Sequence, residues 1–144
     1  MNNPGQSVRR TETVNPENFT ADGGGNFTEY PVRLVFHDDP RGAHYDLFVR
    51  VSGQDRLITY ELQMAGVPAA SAGESGFRLL AGTSGDAFPL TACRKKSHRM
   101  HYWTYVGAVA GRGRIEFWGE GWLQCAALTE ELFLAWRGVG SQNS

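Results

Sequence analysis

Two of the four histidines in this 144-residue chain frame the run His37-Asp38-Asp39-Pro40-Arg41-Gly42-Ala43-His44-Tyr45-Asp46. From His44 onward, His44, Asp46, Phe48 and Arg50 alternate with Tyr45, Leu47, Val49 and Val51, the period-two pattern of a half-buried strand. That period sets the His44 imidazole and the Asp46 carboxylate side by side on one face. Asp38 to Gly42 is turn chemistry, because Pro fixes φ and Gly tolerates unusual backbone angles, so the chain folds back and brings His37 towards His44. Two imidazoles and a carboxylate then face one point. Such a set suits Zn, Mn or Fe, and three protein ligands leave positions for water and substrate. The plainer reading is a turn carrying solvated polar groups, and spacing alone does not decide between the two.

A second group of reactive residues follows the basic run Arg94-Lys95-Lys96-Ser97-His98-Arg99. His98 and Tyr102 lie four apart, so an imidazole and a phenol can reach a phosphate that the metal also holds. The alternative is a surface His and a core Tyr. Strand parity puts His98 and His101 on opposite faces, so one of them points at the site. Arg94, Lys95 and Lys96 read either as a phosphate-binding cluster or as a solvated connection. Trp103, Tyr105, Phe117, Trp118, Trp122, Phe133 and Trp136 read as core rather than as a base-stacking platform.

The elements that must position these groups are strands. Tyr30 to His37 alternates as a first strand ending at the site, His44 to Val51 is the second, and Arg56 to Gln63, after the short Ser52-Gly53-Gln54-Asp55 connection, is a third, antiparallel to it. Residues 65–85 turn to Ala, Ser and Gly and read as a long loop with one short strand or turn around Phe77-Arg78-Leu79-Leu80. Ala87 to Ala92 reads as a short strand. Gly107 to Gly113 is a turn, and Arg114 to Trp118, Trp122 to Ala127 and Leu132 to Arg137 are further strands joined by Gly119-Glu120-Gly121 and Thr129-Glu130. A short helix over Leu128 to Trp136 fits its sequence about as well.

Seven or so Gly-punctuated strands predict an all-β fold, a small antiparallel barrel or sandwich, over residues 28–140. Residues 1–27, rich in Asn, Gly, Thr and Pro, read as a flexible arm. The length fits one domain. A net charge of -1 gives no global field towards nucleic acid or anionic membrane. Without a spanning apolar run or a signal-peptide pattern, the expectation is a soluble cytoplasmic protein, with Cys93 and Cys125 as free thiols in partly buried stretches.

At these residues the sequence resembles the phosphoesterase domain found at the start of bacterial ligase D proteins and as short standalone proteins. That family reads H-D-x-x-x-L-H-Y-D-x-R-L-E, then a Trp-containing strand, then D-H-x-L-x-Y-x-x-Y/F-E-G, a Gly-rich turn, and a strand ending W-D-x-G. The counterparts here are His37-Asp38 with His44-Tyr45-Asp46, then Ser97 to Gly107, then Gly111 to Gly121, in the same order over about residues 31–123, with one residue more between the two histidines and Tyr60-Glu61-Leu62-Gln63-Met64-Ala65 where the family has W-A-V-P-K-G. The resemblance implies a compact β-barrel that binds Mn(II), or another divalent ion, and removes a 3′-phosphate or 3′-terminal ribonucleotide from DNA ends during repair. Carried over by position, His37, His44 and Asp46 hold the metal, and His98 and Tyr102 contact the phosphate. The family's Arg two residues beyond the Asp is Phe48 here, and Arg50 on the same strand face is the candidate replacement. The expected partners are DNA or RNA-tipped DNA 3′ ends and repair ligase or polymerase proteins, with the chain a monomer. Two rival readings are a non-catalytic DNA-end binding module on the same barrel, and a non-haem Fe(II) oxygenase using His44, Asp46 and a distal His98.

Overall fold

The period-two alternation of apolar residues recurs through the chain, and the described residues form eight strands. The structure, a computed structural model, describes residues 27–63, 67, 74–82 and 88–137. In chain order the strands are β1 (Thr28–Asp38), β2 (His44–Val49), β3 (Arg56–Leu62), β4 (Glu74–Gly82), β5 (Leu90–Arg99), β6 (Gly107–Ala108), β7 (Arg114–Cys125) and β8 (Glu131–Arg137). A 3₁₀ turn, Met100–Trp103, follows β5. Seven strands hydrogen-bond in the order β1-β2-β3-β5-β8-β4-β7, and β1 pairs back onto β7 to close the ring. A closed ring exposes no long edge to other chains. The short β6 adds to β7 outside it. Every pairing is antiparallel except β4 with β7, where the intervening chain that builds β5 and β6 supplies the crossover that a parallel pair needs.

Alternation sorts each strand between two faces. Val32, Leu34, Leu47, Val49, Tyr60, Leu62, Phe77, Leu79, Ala92, Trp118, Leu123 and Leu134 point into the ring and make its main core. Phe77 packs edge-on against Trp118 and Trp136, at 5.7 and 5.4 Å between ring centroids. Val35, Phe48, Leu57 and Ile115 face outward, where Met100, Tyr102, Trp103, Tyr105 and Val109 cover them. The 3₁₀ turn and the loop behind it therefore build a second, smaller apolar cluster on the outside of the ring.

Several sequence expectations change. The tract read as a long loop with one short strand or turn around Phe77 to Leu80 carries β4, nine residues long, because Phe77, Leu79 and Ala81 alternate as inward residues among the glycines and find partners on both β7 and β8. Residues 64–66, 68–73 and 83–87 lie outside the described residues. The two strands expected at Arg114 and Trp122 are one, β7, and Gly119-Glu120-Gly121 lies within it. A side chain at Gly121 would collide with the Phe77 carbonyl, so this glycine permits close approach to β4 rather than marking a turn. Trp122, expected in the core, is 41% exposed because its neighbour Leu123 takes the inward place. The basic run is part of β5, not a connection, and that strand begins at Leu90. Leu132 to Arg137 is strand, not helix. Cys93 is exposed and Cys125 buried, and both are free thiols. The arm before residue 27 and the end beyond residue 137 lie outside the described residues. Among the described residues no helix is long and apolar enough to cross a membrane.

Candidate metal centre

The β1–β2 hairpin pairs His37 with His44 and Val35 with Asp46, so all three candidate ligands fall on the outer face of the ring. The turn between them closes through Gly42 N–H donating to the Asp39 carbonyl at 2.8 Å. Gly42 has φ +145°, a backbone region that costs a glycine little. His37, His44 and Asp46 each offer a ligand atom, all within 4.8 Å of one another. His37 and Asp46 are buried, Asp46 at 1% exposure.

Backbone carbonyls orient both imidazoles. His37 Nε2 lies 2.6 Å from the Arg112 carbonyl and His44 Nδ1 lies 2.9 Å from the Gly42 carbonyl. A carbonyl only accepts, so each of these nitrogens carries the proton and donates it. In the neutral rings the lone pairs then sit on His37 Nδ1, 4.0 Å from Asp46 Oδ2, and on His44 Nε2, 3.5 Å from Asp46 Oδ1. Fixing the outer nitrogen by a backbone carbonyl is how proteins present an imidazole to a metal. These donors fit a divalent cation of the Mn, Fe or Zn type.

The Arg112 carbonyl reaches His37 because the loop from Val109 to Gly113 folds against the end of β1, closed by Val109 N–H donating to the Gly113 carbonyl at 2.8 Å. Gly113 has φ +80°, and a side chain there would collide with the Asp38 carbonyl. Asp39 ties the two loops together. It accepts from Arg41 N at 3.0 Å and from the Arg112 Nε at 3.3 Å. The Arg41 hydrogen bonds, outweighing burial, hold its carboxyl below the usual range.

One residue enters the centre that the sequence placed only within a charge run. Lys95 on β5 projects its ammonium to 3.1 Å from Asp46 Oδ1, 3.4 Å from His44 Nε2 and 3.0 Å from Glu61 Oε1. Burial opposes its charge, but Asp46 and Glu61 outweigh burial and raise its pKa. Burial likewise opposes the charge of Asp46, yet His44 and Lys95 hold its carboxyl below the ordinary value. The Asp46 contact raises the pKa of His44. Burial lowers that of His37, against the pull of Asp46. The only sequence signal for Lys95 was parity, and parity carries information only once the register Thr59 opposite Lys95 and Tyr60 opposite Arg94 is known.

The same register separates the other candidates. Arg94 is turned from the centre, with Nη1 donating to the Leu128 carbonyl at 3.1 Å and its guanidinium 5.9 Å from the Tyr60 ring, away from where the expected phosphate role would need it. Arg50 follows β2, is exposed, and stacks at 5.5 Å over Trp103. His98 lies on the site side of β5. Its ring is 5.1 Å from Phe48 and 5.5 Å, edge-on, from Tyr102. The Thr59 hydroxyl donates to the Leu57 carbonyl, so His98 Nδ1, 2.9 Å from Thr59 Oγ1, is the donor of that pair and its Nε2 keeps the lone pair. Burial lowers the His98 pKa, and Asp46, Lys95 and His37 are close enough to act on it. His101 is exposed in the 3₁₀ turn, so a change of element rather than strand parity separates it from His98. Tyr102 is half-buried between the rings of His98 and His101.

No known protein family, curated protein or solved structure matches this chain.

Proposed function

We propose that this protein is a metal-dependent phosphoesterase acting on nucleic-acid 3′ ends, with His37, His44 and Asp46 as the ligands of a divalent ion, Mn(II) in the first instance. The observation that carries the reading is the pair of imidazoles whose outer nitrogens are tied to backbone carbonyls, so that both lone pairs turn towards a buried carboxylate. Isolated solvated histidines have no need of such positioning. A bound divalent ion supplies Lewis-acid polarisation of a phosphoryl oxygen.

The chain's own groups complete the chemistry. Burial keeps His98 neutral near pH 7, with Nε2 free to take a proton from an attacking water. Tyr102, packed edge-on against that ring, orients the imidazole and lines the approach. The exposed Arg50 guanidinium gives the outer face a positive charge for a phosphate, although the chain as a whole is at net -1. We further place the protein in a reducing, cytoplasmic compartment, acting as a monomer beside repair ligases or polymerases, and the free thiols agree with that setting.

Phe48 favours a second reading. It is fully buried against His98 where the resembled family carries an Arg, which leaves a centre with one phosphate clamp fewer and suits a DNA-end binding module. The Fe(II) oxygenase scheme needed His98 beside His44 and Asp46, whereas the residue that joins them is His37. Release of phosphate from a 3′-phosphorylated oligonucleotide, with and without Mn(II), decides the matter. Metal-dependent release supports the esterase. Retention of the phosphate alongside binding of the DNA end supports the binding module.

A further inference from the structure

We infer that the Lys95 ammonium and a divalent cation are alternative occupants of the His37, His44, Asp46 centre, and that Glu61 is where the ammonium withdraws when the ion binds. The inference rests on the metal-binding part of the proposed function, but not on its chemistry.

Exclusion follows from lone pairs and charge. His44 has Nδ1 committed as donor to the Gly42 carbonyl, so Nε2 holds the ring's one available lone pair, and Lys95 Nζ stands 3.4 Å from it. A lone pair turned to an ammonium is not available to a metal. Asp46 Oδ1 is shared in the same way, since Nζ lies 3.1 Å away. An ion bonded to both atoms at roughly 2.0–2.2 Å would also sit within a few ångströms of a like charge, in a pocket where Asp46 has almost no contact with water to screen the repulsion. One cation must leave.

The structure provides the exit. The Lys95 side chain is 27% exposed and that of Glu61 48%, so the carboxylate at 3.0 Å from Nζ lies on the solvent side of the ammonium. Glu61 pairs directly with Asp46 across β2 and β3, and Lys95 comes from β5 beyond them, which sets Nζ between an inner and an outer carboxylate. A flexible four-carbon stem can trade the first for the second without breaking the strand. The device has two consequences. Without metal, the buried Asp46 charge keeps a cationic partner and the barrel holds its shape. With metal, the ion binds only by the margin over an internal competitor, which favours doubly charged ions over monovalent ones and keeps binding reversible.

Mn(II) titration of the full chain without substrate, following free Mn(II) by electron paramagnetic resonance, tests the inference. Lys95→Met removes the competitor. If the ammonium holds the centre nine-tenths of the time, apparent Mn(II) affinity should rise about tenfold. Lys96→Met removes an equal charge one residue along, on the exposed side of β5, and should leave the affinity nearly unchanged. Glu61→Gln removes the outer landing place and should weaken Mn(II) binding by a few-fold, and this effect should vanish when combined with Lys95→Met, as coupling through one competitor requires. Glu61→Gln keeps the test open should Lys95→Met fold poorly without metal. Wild-type binding that Lys95→Met leaves unchanged or weaker, or equal gains from both lysine replacements, would overturn the competition while leaving the metal centre standing. Absence of Mn(II) binding in every protein, Lys95→Met included, would overturn both.

Discussion

The inside of the ring and the outer face of β1, β2 and β3 are built from the same strands, yet they solve opposite problems. Inside, apolar side chains from all seven ring strands pack together, and the Tyr60 hydroxyl is satisfied by donating to the Thr129 carbonyl at 2.6 Å. Outside, His37, Asp39, Asp46 and Thr59, which are the buried polar and charged residues of the described chain, lie among the smaller cluster of Val35, Phe48, Leu57 and Ile115. Period-two geometry lets one strand serve both faces, because Leu47 packs in the core while Asp46 and Phe48 on either side of it face the candidate centre. If the proposed metal centre is there, stability and metal binding are separable by face, and replacements on the two faces should have different signatures.

The largest effect is expected inside. Phe77→Ala removes a fully buried ring packed against Trp118 and Trp136 and should cost about 3–5 kcal/mol in urea unfolding, while the folded fraction binds Mn(II) as before. A metal affinity that falls in step with stability would erase the distinction between the faces. On the outer face, if the proposed esterase chemistry holds, His98→Ala should lower turnover by roughly 10²–10⁴ and leave Mn(II) affinity nearly unchanged. Gly113→Ala strains a left-handed backbone and pushes the loop from Asp38, so the Arg112 carbonyl no longer fixes His37; isothermal titration should show Mn(II) affinity lower by about 10–100-fold.

The smallest effect sharpens the comparison through pH. Burial lowers the pKa of His98 in the folded chain below its ordinary value, so as pH falls below about 6.5 the unfolded chain takes up more protons and stability declines with it. His98→Gln removes that share. Its loss of unfolding free energy between about pH 7.5 and 5.5 should be smaller than that of the parent chain, by denaturant titration at each pH. An equal loss would mean that His98 is not held neutral by burial.

The sequence made the His37, His44, Asp46 cluster legible and left the register hidden. His44 and Asp46 share a strand face by simple alternation, and the Pro40–Gly42 turn folds His37 back onto them, so a local reading is enough to assemble that trio. Lys95 was not accessible in this way. It meets Asp46 from β5, and only the long-range pairing of β3 with β5 tells Lys95 from Arg94. The Arg112 carbonyl is a backbone group, invisible to residue type, and its arrival depends on Gly113. Glycines also misled the fold reading. Gly76, Gly82 and the pair flanking Glu120 look like turn residues, whereas in β4 and β7 they sit within strands, where Gly121 allows two backbones to approach closely. Turn-forming composition and close packing use the same residue.

The central claim is that His37, His44 and Asp46 form one centre for a divalent ion on the outside of the ring. Its most direct test is Mn(II) binding, by electron paramagnetic resonance, to the parent chain and to His37→Ala, His44→Ala and Asp46→Ala, with circular dichroism to verify that each is folded. One ion should bind per parent chain, and each folded variant should lose that binding; an Asp46→Ala variant that binds Mn(II) as tightly as the parent would show that these three residues are not the centre.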